Sequence, residues 1–126
     1  MTNVIIVGHG GFGTAVQNSL KMLLGDTPGM FYVDFTLSDN LETLKEKLCA
    51  ALEKCGENDV LFACDLTGGS PFRQAAELCV HHPNRCAVAG LNLAAFAEMV
   101  YHLAMPVQAL QELAVFTTQN SVMTFP

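Results

Sequence analysis

The sequence predicts an α/β fold: a doubly wound, mostly parallel four-stranded sheet with helices on both faces. Three observations predict it. Short apolar runs alternate along the chain with segments whose apolar residues recur every three or four positions. The run "DVLFAC" is continuous rather than alternating, as a strand covered on both faces requires. Four such strand-then-helix units follow one another, and parallel crossovers are right-handed and need a covering layer.

"VIIV" (Val4 to Val7) is the first strand, and Phe12, Ala15, Val16, Leu20, Leu23 and Leu24 then mark one helical face that Gly25 stops. "MFYVDF" (Met30 to Phe35) is the second strand. It is followed by Leu41, Leu44, Leu48 and Leu52 on a helix that ends at Cys55-Gly56. Asp59 to Cys64 is the third strand, and a helix runs from about Ser70 to Val80. "CAVAGL" (Cys86 to Leu91) is the fourth strand. After it come two helices, "NLAAFAEMVYHLA" and "VQALQELAVFTTQ", separated at Met105-Pro106. The ending "SVMTF" has strand character. No linker or low-complexity tract interrupts the pattern, so residues 1–126 read as one domain.

Composition narrows the function. The chain is 51% hydrophobic and 14% charged, yet no apolar run approaches the roughly 20 residues of a membrane-spanning helix. "MTNVIIVG" has no basic n-region, so it reads as a first strand rather than a signal peptide, and the expected location is the cytoplasm. The five cysteines never form C-x-x-C, which leaves reduced core thiols rather than a disulfide framework or a zinc site. A net charge of −6 with scattered basic residues argues against nucleic acid and anionic membranes as partners.

In such sheets ligands lie beyond the carboxyl ends of the strands, so the loops "GHGGFG" and "DLTGGSPF" are the candidates. Gly8, Gly10 and Gly13 form G-x-G-x-x-G, the pattern that cradles a pyrophosphate, and Asp34 stands where the ribose-binding acid would be. The competing reading centres on His9: a turn without side-chain bulk lets a phosphoryl group approach the ring in line, and Gly10 in that turn is a candidate phosphate-binding residue. If strands one and three are neighbours, Asp65 can accept a hydrogen bond from one ring nitrogen of His9 and leave the other free as a nucleophile.

"GGSPF" reads structurally as a helix start, with Ser70 as N-cap and Pro71 at the first helical position. It also reads as an anion site. The backbone N–H groups of Gly68, Gly69 and Ser70, the hydroxyls of Thr67 and Ser70 and the helix dipole would all face a phosphoryl group. Phe12 and Phe72 read as core residues, Arg73 as a solvated cation, and His81, His82 and His102 as surface histidines without an acid partner.

Together "VIIVGHGGFG", "FACDLTGGSPF" and the later "VAGLN" resemble the IIA components of the mannose family of the bacterial phosphoenolpyruvate-dependent sugar phosphotransferase system, over essentially the whole chain. The resemblance implies a cytoplasmic carrier, needing no metal or cofactor, whose histidine takes a phosphoryl group from HPr. It passes that group to a IIB component, which phosphorylates sugar entering through a membrane IIC/IID pair. His9 matches the phosphorylated histidine, Asp65 the acid that orients it, and Gly68 to Phe72 the family's Gly-Gly-Ser/Thr-Pro-Phe turn. The resemblance further implies a homodimer that exchanges a C-terminal antiparallel strand, a role open to "SVMTF". Family members commonly carry Ser or Thr before the histidine, where this chain has Gly8. The pairing of "GHGGF" with "DLTGGSPFR" is most similar to the branch associated with amino sugars such as N-acetylgalactosamine. Two alternatives stand beside this: a dinucleotide-binding module using Asp34, and the phosphoryl-donor subunit of a dihydroxyacetone kinase, whose first domain is similar in fold.

Overall fold

The computed structural model describes residues 1–126. Four strands and five helices alternate: β1 (Thr2–His9), α1 (Phe12–Leu24), β2 (Met30–Phe35), α2 (Leu41–Cys55), β3 (Asp59–Cys64), α3 (Ser70–Cys79), β4 (Arg85–Ala89), α4 (Leu93–Val100) and α5 (Val107–Asn120). The strands lie in the order β2-β1-β3-β4, and every pair is parallel.

Successive side chains of the central strands point to opposite faces, so each strand contributes to two cores. Val4 and Ile6 of β1 and Leu61 and Ala63 of β3 meet Leu20, Phe96, Met99 and Leu110 from α1, α4 and α5. Ile5 and Val7, with Phe62 and Cys64, meet Leu44 and Leu48 of α2 and Ala75 of α3. Every one of these side chains is fully or almost fully buried. Each buried Leu, Ile or Phe contributes roughly 1.5–3 kcal/mol relative to exposure. The doubly wound arrangement follows directly from this two-faced burial.

Helix ends are set locally. Asn40 accepts from the Thr43 N–H while the Thr43 hydroxyl accepts from the Asn40 N–H, a reciprocal cap on α2. Asn92 caps α4 through the Ala95 N–H. Gly13 allows α1 to lie close on β2, because a Cβ there would stand 2.7 Å from the Val33 carbonyl oxygen and 2.9 Å from Asp34 Oδ1. The Gly13→Ala variant is therefore expected to lose about 1–3 kcal/mol of stability, read as a lower urea midpoint at unchanged slope.

Two sequence expectations need correction. "SVMTF" forms no strand with the chain's own sheet, which is wholly parallel; after Asn120 the backbone is irregular and Val122, Met123 and Phe125 are exposed. An apolar alternating segment becomes a strand only beside an edge that takes its hydrogen bonds, and it meets none within this chain. Ser70 is not the N-cap of α3: that position belongs to Gly69, and Ser70 is the first helical residue.

Candidate functional site at the carboxyl end of β1 and β3

The chain leaves β1 for β2 on one side and returns across the sheet to β3 on the other. The turns after β1 and β3 therefore lead to helices on opposite faces and leave a crevice between them, the switch point where such sheets bind their ligands. His9 ends β1 and Asp65 follows the last residue of β3, so the neighbouring strands that the sequence argument required are present and parallel.

Asp65 Oδ2 accepts from the His9 backbone N–H at 2.9 Å and lies 2.7 Å from His9 Nδ1, while Oδ1 accepts from the Leu66 N–H at 2.9 Å. Burial pushes the Asp65 carboxyl up. The hydrogen bonds from the His9 N–H, its ring N–H and the Leu66 N–H outweigh that penalty, and the net result lies below the usual carboxylate range. A carboxylate only accepts hydrogen bonds, so Nδ1 carries the proton and Nε2 keeps its lone pair. The imidazole side chain is 42% exposed against 10% for Asp65, which leaves the ring open and the carboxylate covered.

Nε2 faces the second loop. A Cβ on Gly69 would stand 2.9 Å from both Cε1 and Nε2, and the Gly69 φ of +111° is itself a conformation that side chains resist. The N–H groups of Thr67, Gly68 and Gly69 donate to nothing within the chain. Neither α1 nor α3 is capped by the side chain of its N-cap residue; Asp34 takes the Thr14 N–H in the first turn of α1, whereas α3 leaves its first backbone N–H groups and the positive end of its dipole without a side-chain partner. Thr67, Gly69 and Ser70 line a cleft of about 370 Å³ together with Leu41, Phe72 and Arg73. Gly10 departs from expectation: its N–H donates to the Phe35 carbonyl at 2.8 Å, so its φ of +62° serves the turn rather than an anion.

The other candidates fall outside this cluster. Asp34 is spent on α1, accepting from both the Thr14 N–H and the Thr14 hydroxyl, so it is not available to a ribose. With Gly10 shaping a turn and Gly13 a helix–strand contact, the glycine pattern is accounted for by packing. Gly8 completes it: a Cβ there would lie 2.5 Å from Phe12 Cδ1, so the Phe12 ring fills the space that a side chain would take. Phe12 packs edge-on against Phe96, as a core residue should. Arg73 is exposed and near Glu77. His81 and His82 are exposed just past α3. His102, expected to lack an acid partner, pairs with Glu98 one helical turn earlier at 3.0 Å. It sits at the amino end of the sheet beside Leu103, which accepts from the Thr2 N–H.

Sequence reasoning missed Phe35, whose ring stands edge-to-face against His9 with centroids 5.9 Å apart at 71°. Only the strand order could have revealed it. The cysteines are free thiols. Burial pushes Cys64, next to Asp65, up to about 12 and removes it as a competing nucleophile.

Comparisons with known proteins identify the family. The family model described as the PTS system fructose IIA component matches residues 3–117. The fructose-specific EIIA component of Bacillus subtilis strain 168 is 35% identical over 109 residues, covering 83% of this chain and 75% of that protein. The mannose-specific EIIAB component of Escherichia coli K12 is 36% identical over 100 residues, covering 78% of this chain but only 31% of that longer protein. In structure, the mannose/sorbose specific IIA subunit of the phosphotransferase system from Enterococcus faecalis superposes with a TM-score of 0.90 at 29% identity, covering 99% of this chain and 95% of that one. The matched span, the identities and the shared fold place the chain in the mannose-type family of IIA components of the sugar phosphotransferase system.

Proposed function

We propose that the chain is a phosphoryl carrier in which His9 Nε2 accepts the phosphoryl group of phospho-HPr and hands it to a IIB component. The observation that carries this reading is the pairing of Nδ1 with Asp65 at 2.7 Å, which fixes the tautomer and turns Nε2 toward the Gly68–Ser70 turn. In the forward step the Nε2 lone pair forms the N–P bond as the N–P bond to the donor histidine breaks. The donor imidazole leaves with that electron pair. The transition state is loose and in line, so positioning and stabilisation of the equatorial oxygens supply most of the catalysis. This reading assigns to those oxygens the N–H groups of Gly68 and Gly69, which donate to nothing within the chain, the Ser70 N–H at the start of α3 and the hydroxyls of Thr67 and Ser70. Asp65 balances the positive charge that the ring gains on phosphorylation.

IIB then phosphorylates the sugar that enters through a membrane IIC/IID pair. Relatives named for fructose and for mannose share this domain, which supports assigning sugar choice, amino sugars included, to those partners. No helix of the chain is long and apolar enough to cross a membrane, which fits a carrier working on the cytoplasmic side. The exposed tail from Val122 to Phe125 supports a homodimer in which that segment pairs with a second copy. The kinase-donor reading has no observation that favours it over this one.

The test is intact mass after incubation with phosphoenolpyruvate, enzyme I and HPr. One acid-labile phosphoryl group on the natural chain and none on His9→Ala is the expected result. An unmodified chain beside phosphorylated HPr, or a modified His9→Ala, would overturn it.

A further inference from the structure

We infer that Phe35 is a positioning residue for phosphoryl transfer, holding the plane of the His9 ring that Asp65 alone leaves free. The inference rests on the carrier reading of His9. A single hydrogen bond at Nδ1 fixes one ring atom, and the imidazole can still tilt about that point and swing Nε2 away from the Gly68–Ser70 turn. A second constraint has to act on the ring itself. β1 lies between β3 and β2, and the two neighbours supply the two constraints: Asp65 from the β3 side and Phe35 from the β2 side.

The Phe35 position is tightly held. Phe35 is the register partner of His9, and its carbonyl accepts from the Gly10 N–H at 2.8 Å, so strand and turn are tied on both sides of the histidine. Lys47 Nζ donates to the carbonyl of the preceding residue, Asp34, at 2.9 Å and to Asp39 Oδ2 at 2.6 Å. Asp39 Oδ2 in turn accepts from the N–H and the hydroxyl of the following residue, Thr36, at 2.8 and 2.9 Å. The Lys47 ammonium, with the Thr36 N–H, holds the Asp39 carboxyl far below the usual carboxylate range. The backbone on either side of Phe35 is thus clamped, and the ring it carries stands edge-to-face to the imidazole. Such support from outside the reacting group is what keeps a nucleophile within the narrow geometry that in-line transfer needs.

The experiment compares the natural chain with Phe35→Leu and Phe35→Tyr. It records steady-state transfer from phospho-HPr and the imidazole ¹⁵N chemical shifts of His9. Phe35→Leu is expected to lower turnover on the order of tenfold with KM for phospho-HPr nearly unchanged, and to displace the Nε2 shift while Nδ1 stays protonated on Asp65. Phe35→Tyr restores both. If Phe35→Leu does not fold, Phe35→Met carries the same expectation. Unchanged turnover and shifts would overturn the inference, and so would a rise in KM alone, which would make Phe35 a docking contact. The shifts are read without HPr, so the positioning role is decided even if phosphorylation of the natural chain fails and the carrier reading falls.

Discussion

Asp65→Asn is expected to lower the rate of phosphoryl transfer to His9 about 100-fold while leaving the fold intact. Asp65 uses both oxygens: Oδ2 takes the His9 N–H and lies against Nδ1, and Oδ1 takes the Leu66 N–H. An asparagine has one acceptor oxygen and one NH₂ group, so one of those positions must receive a donor. If the NH₂ faces the ring, Nδ1 has to accept and the proton moves to Nε2, which removes the nucleophile. If it faces Leu66, two N–H groups oppose each other across the turn. Rate measured with phospho-HPr, beside a thermal melt that shows a retained transition, checks this expectation.

The carboxylate also sets an acid limit. Its folded-state pKa lies below the usual range, so its stabilising contribution is complete above the ordinary carboxylate pKa and is lost as pH falls through the depressed value. The Asn variant lacks that acid-side loss.

The second large effect falls on a residue without a side chain. Gly69→Ala places a methyl group 2.9 Å from His9 Nε2 at a φ of +111°, so either the ring or the loop must move. Displacement of the acceptor nitrogen by about 1 Å costs on the order of 100-fold in transfer. The strained backbone adds about 1–3 kcal/mol of destabilisation. The variant is therefore expected to be nearly inactive but folded, with single-turnover transfer slowed far more than the urea midpoint is lowered. Near-natural transfer would mean that Nε2 does not face this loop during the reaction.

The parallel strands and their helices were legible because each strand is a short apolar run and each helix repeats its apolar residues at helical spacing; β3 and α2 are the clearest cases. Helix and strand ends were less so. The sequence shows Val4 to Val7 as apolar, but β1 reaches His9 because its hydrogen bonds continue into β2 as far as Phe35, a matter of register rather than composition. The tail "SVMTF" carries strand character without a strand because pairing depends on reaching an edge, and the tail pairs with neither edge strand, β2 or β4.

For the site, His9 and Asp65 were readable as a pair only under the condition that β1 and β3 adjoin, and the strand order meets it. Asp34 and Gly10 could be read equally as ligand residues. What decides against them is local: Thr14 occupies the acid and the Phe35 carbonyl occupies the amide. Phe35 was out of reach because nothing in its own run of residues says that β2 flanks β1 at the histidine.

The central claim, that Asp65 reserves Nδ1 and presents Nε2 as the acceptor, is tested most directly by locating the phosphorus. Two-dimensional ¹H–¹⁵N and ³¹P spectra of the phosphorylated, ¹⁵N-labelled chain distinguish the two ring nitrogens of His9. The account predicts a phosphoryl group on Nε2 with Nδ1 still protonated. A phosphoryl group on Nδ1, or on His81, His82 or His102, would contradict it.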